Sequence, residues 1–170
     1  SSSHERCSII EVMGRNAGYI ALWCGVGTGA EDILLPEKYD YDEQQLINNI
    51  INNRKKGKTH HLIINAEGIG HSTSMAKRIE AATGVETRAT ILGYMQRGGS
   101  PCPYDRVLST RLGSEAAQLI LDKQYGYMVG MVNGKVKKIP LGECAGKLKT
   151  VDPNAQEVLQ AKRMGISFGD

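Results

Sequence analysis

The sequence has no cysteine pattern that would indicate a metal or redox site. Its four cysteines, Cys7, Cys24, Cys102 and Cys144, lie far apart, and none forms a Cys-x-x-Cys pair or a cluster with histidine. Zinc binding and dithiol redox chemistry both rely on such close spacing, so neither is supported. We therefore expect reduced, buried thiols and no bound metal ion in this chain.

The sequence also lacks long apolar runs and a strong excess of one charge, and it has few aromatic residues. No run is long enough to span a bilayer, and the opening residues, SSSHERCSII, lack the basic and apolar regions of a signal peptide. We expect a cytoplasmic protein without a membrane partner. The 21 Lys and Arg residues against 18 Asp and Glu residues give a net charge of +3, and the chain has one Trp and one Phe. These values give no support for a nucleic-acid partner.

Short β-rich runs alternate with amphipathic segments along most of the chain. The predicted strands cover residues 7–12, 32–35, 60–65 and 86–92, and the predicted helices cover residues 16–25, 43–54, 74–83 and 104–122. This alternation predicts an α/β fold, a Rossmann-like layered domain with a parallel sheet and helices on both faces. Asn133-Gly134 then predicts a C-terminal β-hairpin, followed by a last helix over residues 155–164. We expect a single domain over residues 1–170.

Polar, glycine-containing loops follow three of the predicted strands. They are Met13-Gly14-Arg15, Glu67-Gly68 and the stretch from Gly93 to Pro101. Because parallel strands end at one edge of a sheet, we expect these loops to lie together. The guanidinium groups of Arg15 and Arg97 suit phosphate and the carboxylate of Glu67 suits hydroxyl groups, which predicts a phosphorylated sugar or polyol as ligand. The alternative is that the arginines are surface residues paired with acids and that the glycines serve only turns.

A basic segment, RKKGKTHH from Arg54 to His61, joins the second helix to the third strand. Lys56 and Lys58 flank Gly57, so two ammonium groups could converge on an anion. The alternative is a solvated helix C-terminus, where cations interact favourably with the helix dipole.

Three stretches, EVMGRNAGYIAL, NAEG and TRATILGYMQRGGSPCPYDRVLSTRLG, closely resemble the C-terminal half of bacterial ATP-dependent 6-phosphofructokinases. The resemblance runs from Ser1 to about Val136. It implies transfer of the γ-phosphoryl group of ATP, with Mg²⁺, to fructose 6-phosphate to give fructose 1,6-bisphosphate in glycolysis. The family's GGDT-type nucleotide loop and its TIDND segment, which carries the catalytic aspartate, do not occur in these 170 residues. The chain therefore resembles the sugar-phosphate and effector half of the enzyme, and we expect it to be inactive alone.

The resemblance also implies roles for single residues. In the family, the Met-Gly-Arg motif holds fructose 6-phosphate, and its arginine, here Arg15, steadies the transferring phosphoryl group as a catalytic residue. Two arginines, here Arg6 and Arg88, reach the 6-phosphate of a neighbouring subunit, which implies a homo-oligomer with a shared sugar site. Tyr94 replaces the family's usual histidine and cannot be cationic near neutral pH. The implied substrate-binding residues are Arg6, Met13, Gly14, Arg15, Glu67, Arg88, Tyr94, Met95, Gln96 and Arg97.

The family's effector site takes ADP or GDP as activator and phosphoenolpyruvate as inhibitor. The implied effector residues are Gly29, Ala30, Glu31, Lys56, Gly57, Lys58, Thr59 and His60. Other interpretations stay open at this point: pyrophosphate as the phosphoryl donor, a sugar-phosphate sensor without turnover, or a nucleic-acid module built on the basic segment, whose binding would weaken steeply with salt.

Overall fold

The structure is a computed structural model that describes residues 5–38 and 40–170. Residues 1–4, with which the family resemblance begins, lie outside the described residues. The described chain forms two compact units. The sheet unit comprises the residues up to Arg97 together with residues 149–170, and the hairpin unit comprises residues 98–148. Compactness alone does not establish independent folding, so the assignment of one domain to residues 1–170 stays a prediction.

Strands and helices alternate through the sheet unit as predicted. The strands are β1 (Cys7–Val12), β2 (Asp32–Leu34), β3 (His61–Ala66), β4 (Thr87–Ile91), β5 (Tyr127–Val132) and β6 (Lys135–Pro140). The α-helices are α1 (Tyr19–Thr28), α2 (Glu43–Lys55), α3 (Ser72–Thr83), α4 (Pro103–Leu121), α5 (Leu141–Cys144) and α6 (Gln156–Arg163). Strands β1 to β4 form a parallel sheet in the order β2-β3-β1-β4. The carboxyl ends of β1, β3 and β4 therefore lie side by side.

Each face of this sheet carries its own apolar core because successive side chains of a strand point to opposite faces. In β1, Val12 packs on one face in a core that includes residues of α1 and α6. Cys7 and Ile9 pack on the other face in a core that includes residues of α2 and α3. Helices thus cover both faces, and the predicted layered α/β fold is confirmed.

Two helix boundaries follow local capping chemistry. The Asp42 side chain accepts a hydrogen bond from the Gln44 amide at 2.8 Å and caps α2, which begins at the predicted residue, Glu43. Gly84 ends α3 in the left-handed conformation with φ 67°. Helix α1 begins at Tyr19 rather than at the predicted Asn16, because the preceding turn holds Arg15 at φ 51°.

The C-terminal segment docks on the outer strand β2. The Ile33 amide donates to the Ser167 carbonyl and the Ser167 amide donates to the Glu31 carbonyl, both at 2.9 Å. Phe168 is buried in the same core as Ile33. The segment therefore satisfies backbone groups at the exposed edge of β2 and fixes the backbone at Glu31.

The hairpin unit contains α4, the antiparallel pair β5-β6 and the short helix α5. Asn133 and Gly134 have φ values of 50° and 74°, the left-handed pair that a two-residue hairpin turn requires, so the predicted hairpin is confirmed. Along α4, the predicted apolar face is only partly covered, since Val107 and Ile120 are exposed. Among the described residues, none of the helices is long and apolar enough to cross a bilayer.

Candidate functional site

The carboxyl ends of β1, β3 and β4 surround a cavity of about 660 Å³, which we call the carboxyl-edge cavity. The first two predicted loops and the Gly93–Arg97 part of the third meet here. The lining residues are Met13, Gly14, Arg15, Ile20, Glu67, Gly93, Tyr94, Gln96 and Arg97. All of them except Ile20 and Gly93 belong to the predicted substrate-binding set. Met95 lies in the same 3₁₀-helix, Gly93–Arg97, but is exposed and outside this lining.

Glycine is required where the loops touch each other. A Cβ at Gly68 would collide with the carbonyl oxygen of Arg15, and a Cβ at Gly14 would collide with that of Ala17. Gly14 also has φ 146°, a conformation that other residues rarely adopt. Gly68 thus allows the loop after β3 to pack directly on the loop after β1, and Gly14 allows the tight turn within the loop after β1.

Side chains from the loops after β3 and β4 form hydrogen bonds with the backbone of the loop after β1. Glu67 Oε1 accepts hydrogen bonds from the amides of Gly14 at 3.2 Å and Arg15 at 2.6 Å. Gln96 Oε1 accepts one from the Met13 amide at 2.7 Å. The left-handed backbone of Arg15 costs about 1–2 kcal/mol in a residue other than glycine, and the bond to Glu67 offsets that cost.

The charged groups of the cavity are two guanidiniums and one carboxylate. Arg15 and Arg97 are both exposed, and the Arg97 guanidinium lies 5.5 Å from the centroid of the Tyr94 ring. Tyr94 is 81% exposed. The described residues contain no cluster of acidic, histidine or cysteine side chains that could hold a metal ion. Chemically, the cavity can neutralise a dianion and accept hydrogen bonds from hydroxyl groups.

Arg6 and Arg88 lie at the amino edge of the sheet, away from the cavity. Both bind Glu86: Arg6 Nε donates to its Oε2 at 2.6 Å, and Arg88 Nε donates to its Oε1 at 2.8 Å. The hydrogen bond from Arg6, with a further one from Arg88, lowers the pKa of Glu86. Since Arg6 precedes β1 and the cavity follows it, the length of a six-residue strand, about 20 Å, separates them. Neither arginine reaches the cavity of its own chain.

The predicted effector residues come together at the same amino edge. Glu31 is buried; its Oε1 lies 2.5 Å from Lys58 Nζ, and its Oε2 accepts a hydrogen bond from the Leu62 amide. Lys58, Thr59 and His60 line a small crevice together with Arg6.

The remaining effector residues surround this group. Lys56 and Glu31 line a neighbouring pocket of about 430 Å³. Gly29 and Gly57 are left-handed, with φ values of 66° and 86°, and Ala30 is buried.

Comparison with known proteins shows the family to which the chain belongs. The family profile described as Phosphofructokinase matches residues 1–120, a range that contains every residue lining the carboxyl-edge cavity. The chain belongs to the phosphofructokinase family. The resemblance inferred from the sequence is thereby confirmed.

Curated phosphofructokinases are similar to nearly the whole chain. ATP-dependent 6-phosphofructokinase 3 of Bacteroides thetaiotaomicron is 47% identical over 175 residues, which cover 99% of this chain and 52% of that protein. ATP-dependent 6-phosphofructokinase of Bacillus velezensis is 47% identical over 158 residues, covering 93% of this chain and 49% of that protein. The chain thus spans about half the length of the curated relatives it matches.

Solved phosphofructokinase structures show the same fold. The structure of phosphofructokinase from Saccharomyces cerevisiae covers 83% of this chain and 20% of that chain, with a TM-score of 0.71 at 33% identity. A pyrophosphate-dependent phosphofructokinase from Marinobacter aquaeolei covers 98% of this chain and 49% of that chain, with a TM-score of 0.80. At 19% identity, the latter match shows the fold alone.

The structure of this phosphofructokinase family member also contains a buried polar pair that the sequence did not reveal. His61 Nε2 lies 2.5 Å from Asp32 Oδ2, and the Asn49 side chain donates to Asp32 Oδ1 at 3.3 Å. The available signal was Asp32 itself, because an acidic residue at the start of the apolar run DILL indicates that it has a polar partner inside the protein.

The buried thiol of Cys7 lies nearby, and burial, with smaller contributions from the charges of Asp32 and Glu31, raises its pKa to about 12. The expectation of buried thiols is wrong for Cys24 and Cys102, which are exposed.

Proposed function

We propose that this chain is the sugar-phosphate-binding half of an ATP-dependent 6-phosphofructokinase and that fructose 6-phosphate binds in the carboxyl-edge cavity. The observation that supports this most directly is the convergence of Arg15, Arg97 and Glu67 with a glycine-lined backbone around one cavity. The names of the curated relatives supply the reaction: transfer of the γ-phosphoryl group of ATP to the sugar phosphate. A glycolytic role of this kind belongs in the cytoplasm.

Each group in the cavity has a role in this proposal. Arg97, supported by Tyr94, attracts the phosphate of the sugar, because a guanidinium offers a planar fork of donors. Backbone amides hold Oε1 of Glu67, so Oε2 is the oxygen that a sugar hydroxyl would reach. Arg15 would neutralise charge on the transferring phosphoryl group, as positioning and charge neutralisation dominate this chemistry. ATP and Mg²⁺ would be bound by the other half, so this chain alone binds without turnover.

The sugar site would be completed by a second subunit. Arg6 and Arg88 lie beside each other on Glu86 at the edge far from the cavity of their own chain. In a two-fold symmetric dimer, the same pair could reach the phosphate in the partner's cavity. The effector residues Lys58, Thr59 and His60 lie beside Arg6, so a nucleotide or phosphoenolpyruvate bound against them would lie next to a residue of the partner's sugar site.

Calorimetric titration with fructose 6-phosphate, and with fructose as control ligand, tests the sugar site. We expect saturable binding of the phosphate ester only. Arg97→Ala should weaken it by roughly 10- to 100-fold, because a charge-assisted hydrogen bond contributes about 1.5–3 kcal/mol. Arg163→Ala, an exposed arginine in α6, is the matched control and should leave the affinity unchanged. Equal binding of fructose, or an unchanged affinity of Arg97→Ala, would exclude the proposed site.

Mixing two defective variants tests whether the site is shared. Arg6→Ala and Arg97→Ala should each bind poorly alone. If the site joins Arg6 of one subunit to Arg97 of another, a mixed dimer contains one intact site, and an equal mixture regains about a quarter of the wild-type sites. If the mixture regains no sites, both arginines act within one chain; if Arg6→Ala alone binds as tightly as the wild type, Arg6 takes no part.

A further inference from the structure

A buried polar network lies beneath the loop that carries Glu67. Asn65, near the end of β3, and Ser72, the first residue of α3, are both buried. Asn65 Nδ2 donates hydrogen bonds to Ser72 Oγ at 2.8 Å and to the Gly70 carbonyl at 2.9 Å. Ser72 Oγ in turn donates to Glu11 Oε2 at 2.5 Å. We call Asn65, Ser72 and Glu11 the Asn65 network, and it connects β3, α3 and β1.

The Asn65 network occupies a part of the sheet whose surroundings are apolar. Asn65 and Glu11 are register partners on adjacent strands, and alternation places them on the same face as Ile9 and Ile63, in the core that includes residues of α3. Asn65 Oδ1 is buried and has no hydrogen-bond partner within the part of the chain that the structure describes. Burial of such a group costs free energy that an apolar side chain would not. The contribution of the network is therefore geometric, since it fixes the groups that it binds.

The loop after β3 is held at both of its ends. At its start, the Glu67 amide donates to the Val12 carbonyl at 2.9 Å. At its end, Asn65 donates to the carbonyl of Gly70, which can only accept hydrogen bonds. Gly70 and His71 are both left-handed, with φ values of 65° and 58°, and α3 has no side-chain cap at His71. Asn65 thus supports the backbone at the point where the loop becomes a helix.

Glu67 lies between these two ends and connects the network to the carboxyl-edge cavity. Its Oε1 accepts hydrogen bonds from the amides of Gly14 and Arg15, and its Oε2 is the oxygen assigned to a sugar hydroxyl. Neither Asn65 nor Ser72 lines the cavity, so neither can touch a ligand there. A misplacement of about 1 Å in a positioning group can lower a reaction rate about 100-fold, so the place of this loop matters for recognition.

We propose that the Asn65 network positions the Glu67 carboxylate in the carboxyl-edge cavity. Asn65 and Ser72 are positioning residues that act through Glu67. They govern the recognition of sugar hydroxyl groups and leave the attraction of Arg97 for the phosphate unchanged. The proposal rests on the proposed function of the cavity, but the position of Glu67 can be measured without a ligand.

The amide resonance of Arg15 reports the position of Glu67 in the free protein. A hydrogen bond to a carboxylate moves an amide proton downfield, so its loss moves the resonance upfield. In two-dimensional NMR of the 170-residue chain, Asn65→Val and Ser72→Ala should each move the Arg15 amide upfield. Valine suits a strand and alanine suits a helix, so both variants should fold. The Gln44 amide, which is bound by the cap of α2, is the internal reference and should stay in place.

A double-mutant cycle tests whether the network acts through Glu67. In calorimetric titration with fructose 6-phosphate, below the thermal transition of every variant, Asn65→Val should weaken binding about tenfold. In the Glu67→Gln background, the same substitution should change the affinity less than about twofold, because the carboxylate that it displaces is already absent. The affinity for methyl phosphate, which has no sugar hydroxyl group, should be the same with and without Asn65→Val.

Ser74→Ala is the matched control for Ser72→Ala. Ser74 is an exposed serine of the same helix, and its hydroxyl donates to the His71 carbonyl at 2.9 Å without contact with the network. We expect Ser74→Ala to change neither the Arg15 resonance nor the affinity for fructose 6-phosphate. Equal effects of the two serine substitutions would count against the network.

The remaining outcomes separate the two proposals. An Arg15 resonance that stays in place in both network variants would overturn the positioning role, and so would an equal loss of fructose 6-phosphate affinity with and without Glu67→Gln. Methyl phosphate binding weakened to the same extent would assign Asn65 a general structural role instead. If the wild type does not bind fructose 6-phosphate but the Arg15 resonance moves as expected, the proposed function fails and the positioning of Glu67 stands.

Discussion

The two edges of the four-stranded sheet use the same kinds of charged residue but satisfy them differently. At the carboxyl edge, neither Arg15 nor Arg97 forms an ion pair within residues 5–38 and 40–170. At the amino edge, Arg6 is paired with Glu86 and Lys58 with the buried Glu31. The first edge has cations available to a ligand around a cavity whose loops pack closely at glycines, whereas the cations of the second edge are already paired with carboxylates.

Breaking the carboxyl edge should have the largest effect. Gly68→Ala puts a methyl group against the carbonyl oxygen of Arg15. That oxygen belongs to the backbone, which cannot move aside as a flexible side chain could. We expect the free energy of unfolding to fall by about 3 kcal/mol and fructose 6-phosphate binding to be lost. Urea denaturation and calorimetry measure the two effects. Gly27→Ala in α1, where an added methyl meets open space, should be neutral or slightly stabilising, and a similar loss in both variants would refute the packing argument.

Alkaline pH should act on the amino edge through Cys7. Burial raises the pKa of the folded-state thiol from 9.0 to about 12, so the folded protein keeps a proton that the unfolded chain releases. This contribution to stability is fully present below pH 9 and is lost as pH rises towards 12, by at most about 1.4 kcal/mol per pH unit. Urea denaturation at several pH values measures the slope. Cys7→Ala should be less stable near neutral pH but should show a shallower alkaline decline; an unchanged slope would mean that other groups cause it.

Removing one cation from each edge gives the smallest effects and the sharpest contrast. Lys58→Met leaves the buried Glu31 carboxylate without its ion-pair partner and should lower the free energy of unfolding by about 1–2 kcal/mol. The loss is smaller than for a fully buried ion pair because Lys58 is partly exposed. Arg97→Met should change it by less than about 0.5 kcal/mol. Thermal and urea denaturation of both variants test this difference. Equal losses would mean that the two edges do not differ in how their cations are used.

Hydrophobic periodicity was enough to predict the sheet and the meeting of its loops. Strands such as β1 alternate between two cores, so their positions follow from the residues themselves, and parallel strands place their loops at one edge. The late start of α1 was not predictable, because the φ of Arg15 is held by Glu67, 52 residues away in sequence. Propensity within a short window contains no information about such a bond.

The sequence also did not show which charged residues pair with each other. Nothing local indicates that Arg6 meets Glu86, 80 residues away, or that Asp32 meets His61. The exposure of Ile120 has a similar cause: its spacing along α4 predicts an apolar face, but burial depends on what packs against that face. The family resemblance located the candidate binding residues, whose roles stay predictions until the titrations are made.

The shared carboxylate of Glu86 has a consequence for how a phosphate would be captured. Arginine side chains lose considerable rotamer entropy when a ligand orders them. Here Glu86 already holds Arg6 and Arg88 side by side before any ligand arrives, so much of that ordering is complete in the free protein. Binding of a phosphate to this pair then becomes an exchange of one anion for another. Glu86 competes with the ligand for the two arginines, and a phosphate can displace it because a phosphate dianion carries more negative charge than one carboxylate.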